Sequence, residues 1–220
     1  MSLFQLDPEA HAARTRSAPQ PVHLPSLKES ILRGALGFTV VSVLGFCPWA
    51  IFGAVFKDYK QAYGGHALEM YIACAVLFLV ASAPVLHRLI IGPGSLFRFY
   101  GLFIPGFILY SAAWICCFSM IRGNLGGALG LLLGQALFAA VLCGAFNAWR
   151  VYVVITIMLF VGNALGYFGW GLVIVYVMNF KEPTWAMLMW GVTYGLGFGA
   201  GLGYAFFACQ EKVRENLKGT

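Results

Sequence analysis

Gln135 is the residue of this sequence best placed to do chemistry away from water. It follows Gly134 inside an apolar run. Its amide carries two donors and an acceptor, and wants up to four hydrogen bonds. Asn163 stands beside Gly162 in the same way, and Thr193 lies within the last apolar run. In hydrocarbon such groups must bond to another helix or line a watery path. Two readings stay open. Gln135 and Asn163 fix the register of packed helices, or with Thr193 they line a narrow route for a small neutral solute. Glu69 and His66 are a further candidate. With Tyr63 and Tyr71 they make a small polar cluster at the outer mouth, or else an interfacial carboxylate and a solvated histidine.

Other chemistries lack their residues. Proton pumps and intramembrane enzymes keep ionisable side chains at depth, and the last four apolar runs have none in their central parts. No deep histidine is available to activate a serine, and there is no HExxH motif. His66 and His87 would sit about 30 Å apart on one helix, too far to share a haem. Cys47, Cys74, Cys116, Cys117, Cys143 and Cys209 all fall in apolar runs without zinc spacing, and read as packing residues. Glycine patterns within apolar runs, with no basic residue after them, do not cradle phosphate. His87, Arg88, Arg98 and Arg150 would gather at the inner surface, where they anchor helices to anionic lipid as readily as they would serve headgroup chemistry. We therefore expect no catalytic residues, no metal, no cofactor and no enzyme.

The elements that carry these residues follow from composition. Of 220 residues, 60% are hydrophobic and 10% charged. A soluble domain could not hide so much apolar surface, so the class is an all-α integral membrane protein. The net charge of +6 does not indicate nucleic acid, because the cations sit in the tails and between apolar runs. Residues 1–25 hold Pro8, Pro19, Pro21 and Pro25 without an apolar period, and read as a disordered cytoplasmic tail. Ser26 and Glu29 form a capping-box pattern that starts a helix. Six spans are expected over residues 31–56, 67–86, 99–121, 126–146, 151–178 and 185–209. They form a domain over 26–209, followed by a cytoplasmic tail over 210–220. Pro48 predicts a kink or local break in the first span, and the long fifth should tilt, or break at residues 166–171.

Glycine spacing suggests how the spans meet. Gly191, Gly195, Gly199 and Gly203 recur every four residues, with Gly197 and Gly201 between them. Two such stripes predict a helix packed between neighbours in a glycine-mediated six-helix bundle. The stripe Gly126, Gly130 and Gly134 in span four, with Gly162 and Gly166 in span five, is expected to contact a central span six. The segments VLGFCPW at 43–49 and ALGYFGW at 164–170 resemble each other and suggest a weak repeat of hairpins.

Six spans put both ends on one side. Ten Lys and Arg residues fall there and four (Lys57, Lys60, Arg122, Lys181) on the other, so both termini are expected in the cytoplasm of a multi-pass cell-membrane protein. Two functions fit. The leading one is a non-catalytic subunit or assembly partner, with a membrane-protein partner or a second copy of the chain. The other is a channel or facilitative transporter for a small neutral or weakly polar solute. The lipid bilayer is a partner in either case.

Overall fold

The computed structural model describes residues 5–20, 22–55, 67–172 and 183–219, of which 53–55, 67–68, 170–172 and 183–184 are described by backbone alone. Six helices are long and apolar enough to cross a membrane. They are α2 (Leu27–Val55), α3 (Ala67–Leu86), α4 (Ser95–Ile121), α5 (Gly123–Phe146), α6 (Tyr152–Leu172) and α7 (Pro183–Cys209). Short helices α1 (Pro8–Arg16) and α8 (Glu211–Lys218) precede and follow them. No strand occurs among the described residues. Helix suits such a chain because it pairs every backbone group within its own segment, which lipid cannot do for it.

Local chemistry sets the ends. The Ser26 hydroxyl accepts from the Glu29 amide at 3.2 Å, while the Glu29 carboxylate accepts from the Ser26 amide at 3.4 Å, so the capping box forms. Between α3 and α4 the chain turns on Gly92 (φ +85) and Gly94 (φ +71), left-handed values that suit glycine. Asn147, also left-handed at φ +51, closes α5. Of the kink or local break expected at Pro48, the break is absent: α2 runs through it as one helix. Likewise α6 stays helical through residues 166–171. The remainder of the expected fifth span, 173–178, lies outside the described residues.

Each span packs on the next, from α2 to α7, and α7 packs back on α2. The six spans thus close into a ring in chain order. Its outer surface is apolar, as on α2 with Leu32, Leu36, Val40, Leu44 and Ile51. Inside, α5 and α7 bury more than half of their apolar stretches, and the other four a third or less.

Two expectations are corrected here. The hub expected of the sixth span is not found: α7 is a member of the ring, with α2 on one side and α6 on the other. The stripe Gly126, Gly130 and Gly134 lies against α4. A Cβ on Gly130 would fall 2.9 Å from the Trp114 Cα, and one on Gly134 2.9 Å from the Tyr110 carbonyl oxygen. Gly162 and Gly166 do face α7, where a Cβ on Gly166 would fall 2.8 Å from the Thr193 carbonyl oxygen.

The second correction concerns residues 1–25. Asp7 caps α1 by accepting from the Ala10 amide at 3.0 Å, and Pro8 opens the helix. His11, Ala12 and Thr15 share one face of α1 and are buried, as is Leu6 just before it. That face rests on Phe146, on the turn at Ile91 and Gly92, and on α8. Arg16 donates to the Asn216 carbonyl of α8. The surface that orders α1 exists only once the spans have assembled, which composition cannot reveal. Both terminal helices therefore meet on one face of the bundle, called the terminal face below. Gln210 locks that face: its side chain accepts from the Ile91 amide at 2.9 Å and donates to the Leu89 carbonyl at 2.8 Å.

Candidate functional site

Five spans place a buried polar side chain near the middle of the bundle. Ser42 of α2, Tyr110 of α4, Gln135 of α5, Asn163 of α6 and Tyr194 of α7 each lie within about two residues of their helix's midpoint. All five are buried. Asn163 Nδ2 donates to the Tyr110 hydroxyl at 3.1 Å, and the two hydroxyls of Tyr110 and Tyr194 lie 3.4 Å apart. This chain of groups joins three spans.

Helix direction sets what flanks this polar level. Toward the terminal face, one turn away, lies a floor of buried rings. Phe38 meets Phe198 edge-on at 4.8 Å and Phe103 at 6.1 Å, while Phe138 touches Phe103 at 5.9 Å and Phe198 at 6.1 Å. On the other side stand larger amphipathic rings. Trp190 lies 5.2 Å from Phe46, 6.0 Å from Trp49 and 5.6 Å from Tyr167, and Trp114 lies 6.1 Å from Tyr167. Phe46 and Tyr167 are matching positions of the two similar heptapeptides, and they flank the same tryptophan. Trp170, the partner of Trp49 in that comparison, has no described side chain.

The polar level is under-compensated. Both side-chain atoms of Gln135, the Asn163 Oδ1, the Ser42 Oγ and the Trp114 Nε1 are buried, and none has a hydrogen-bond partner among the described residues. Leaving a buried polar group unpaired costs about 1–3 kcal/mol. The arrangement offers amide donors, an indole donor, two amide acceptors and a hydroxyl. Its five polar side chains are all uncharged. They can hold water or a small neutral solute by hydrogen bonds, and carry no formal charge to pair with an ion.

No protein-family model matches the chain, and no curated protein or solved structure matches it. The site is therefore read from its own geometry.

Of the residues singled out from sequence, Gln135 and Asn163 reach this level. Thr193 does not offer its hydroxyl there, because it donates to Met189 and Trp190 carbonyls of its own helix at 3.3 and 3.2 Å. Glu69 is exposed in the first turn of α3, far from the midpoint. His66 lies outside the described residues. The described His, Cys, Asp and Glu side chains form no group of three able to hold a metal. Sequence reasoning missed Tyr110, Tyr194 and Ser42. Tyr110 stands midway along a 27-residue helix, and residue type alone did not mark it.

Proposed function

We propose that this polytopic membrane protein is non-catalytic and gives a small neutral solute passage across the bilayer, as a channel or facilitative transporter. The observation that carries this reading is Gln135, whose whole amide is buried at the bundle's middle without a partner among the described residues. Ser42, Asn163 and Trp114 add further unsatisfied atoms. A midplane cluster of this kind is where transporters hold substrate. The Phe38, Phe103, Phe138 and Phe198 floor would close the route on the terminal side, so passage needs those rings to move. Close backbone contacts hold the frame. A Cβ on Gly34 would fall 2.8 Å from the Gly203 Cα, and one on Gly199 2.7 Å from the Phe38 Cβ. We read these as glycine-mediated packing. The cation count favours a cell-membrane orientation with both termini in the cytoplasm.

The test is flux into proteoliposomes of water, urea and glycerol, measured by stopped-flow light scattering. One of these solutes is expected to pass faster than in empty vesicles, and the gain is expected to be lost in Gln135→Leu. A folded wild-type protein that passes none of the three would sink the reading. The aromatic floor favours a second one, because four buried rings leave little open route. In that reading the protein is a packed subunit or assembly partner, and a stable companion copurifies with it from its native membrane.

A further inference from the structure

Two of the cysteines meet at the terminal end of the bundle. Cys143 stands one turn before the end of α5, and Cys209 is the last residue of α7. They come from different helices, yet their side chains lie within hydrogen-bonding reach of each other. Both are buried, and neither is in a disulfide. The two helices touch, and close by they also meet through Phe146 and Phe206, whose rings pack edge-on at 6.1 Å. Packing on the α5–α7 seam thus holds the two thiols as neighbours. Access to them differs. Cys143 is sealed from solvent on every side. Cys209, although nearly as buried, lines a cleft of about 230 Å³ at the terminal face. The turn at residues 147–151 and the start of α8 form the other walls of that cleft.

We propose that Cys143 and Cys209 form a thiol–disulfide exchange site, which takes a small disulfide through the cleft and closes to a disulfide between α5 and α7. The exchange runs in two steps. The Cys209 sulfur gives its proton to water and attacks one sulfur of the small disulfide. That S–S bond breaks, a mixed disulfide forms on Cys209, and the first small thiol leaves, taking up a proton. The Cys143 sulfur then loses its own proton and attacks the Cys209 sulfur. The mixed disulfide breaks, the second small thiol leaves with a proton, and the Cys143–Cys209 bond remains. Two protein thiols are oxidised, and one small disulfide is reduced to two thiols. Access sets the order: Cys209 lines the cleft, while Cys143 needs to reach only Cys209. An excess of small thiol reverses both steps. The proposal does not depend on the solute route.

The experiment uses the full chain in mild detergent, with bis(2-hydroxyethyl) disulfide as the probe. After the remaining thiols are alkylated, disulfide-linked peptides are mapped by mass spectrometry. In wild type, the peptides holding Cys143 and Cys209 are expected to be joined by an S–S bond, with no probe left on either. Excess 2-mercaptoethanol should part them again. Cys143→Ser should stop at the first step and keep half of the probe on Cys209. Cys209→Ser should leave Cys143 unmodified. Cys143→Ala and Cys209→Ala cover the case in which a serine variant does not fold, and should behave alike. Wild type in which both thiols stay free would overturn the site, as would a bond joining Cys209 to any other cysteine. Probe found on Cys143 in Cys209→Ser would overturn the order of attack.

Discussion

Gln135 brings a whole amide to the middle of a membrane bundle, and this makes its replacement informative. Leucine fills a similar volume and needs no partner. Gln135→Leu is therefore expected to raise the melting midpoint, since an unpaired buried group costs about 1–3 kcal/mol, while abolishing solute flux. Thermal unfolding and flux on the same preparation check both halves, and a variant less stable than wild type would mean that the amide is already satisfied. Tyr110 behaves differently because it is bonded: Tyr110→Phe strands the Asn163 amide nitrogen, and should cost about 1 kcal/mol, the scale of interhelical hydrogen bonds in membranes. At the terminal face the telling residue is His11. Burial is the main reason its pKa falls to about 4 from 6.5; the Arg14 and Arg98 charges lower it too, while the Ile91 carbonyl bond and Asp7 oppose the shift. The docked state thus disfavours the protonated ring. Docking is fully supported above pH 6.5 and weakens as pH falls toward 4. Trypsin cleavage after Arg14 and Arg16 should accordingly speed up between pH 7.5 and pH 5, after correction for the enzyme's own pH profile, and His11→Phe should remove that dependence.

Among the elements, α7 is the most constrained by its neighbours' backbones. Gly199 faces Gly34 and Phe38 of α2, while Gly197 and Gly201 face Gly162 and Met158 of α6. Among the described residues, nothing lies within 4 Å of a would-be Cβ on Gly169 of α6. Gly199→Ile is therefore expected to destroy the monodisperse elution peak in detergent, and Gly169→Ile to preserve it; equal behaviour would refute a close α2–α7 seam. The spans were legible because hydropathy and its breakers are local properties: Gly92-Pro93-Gly94, Arg122-Gly123 and Asn147 mark turns wherever they stand. The partner of a glycine stripe is not local. Spacing shows that Gly126, Gly130 and Gly134 share a face, but α4 occupies it only because ring order makes α4 and α5 neighbours. Gly34, which meets the α7 stripe, is followed by Gly37 three residues on and by no glycine at four-residue spacing, so it gave no stripe of its own. For the same reason α1 was hidden, since His11, Ala12 and Thr15 form an apolar face only against Phe146 and α8. Half of the polar level was visible as Gln135 and Asn163. Tyr110, Tyr194 and Ser42 were not, because their residue types are common at interfaces and within helices alike.

At the scale of the molecule, ring closure and charge have to agree. Helices in chain order, with α7 returning to α2, put both termini at one face, and α1 meeting α8 does the same from the other direction. By the topology expected from the sequence, ten cations, Arg14, Arg88, Arg98 and Arg150 among them, fall on the side of the termini and four on the other. Carboxylates contribute little to orientation, so the balance of ten against four argues for the terminal face inside. A reporter active only in the cytoplasm should therefore work when fused after Lys218 and fail when placed in the loop that carries Lys57 and Lys60. In a cytoplasmic leaflet rich in anionic lipid, each arginine near the surface gains about 1 kcal/mol, so the face with the larger share of the cations is the one expected to remain inside. Reporters giving the opposite pattern would remove the charge argument for orientation.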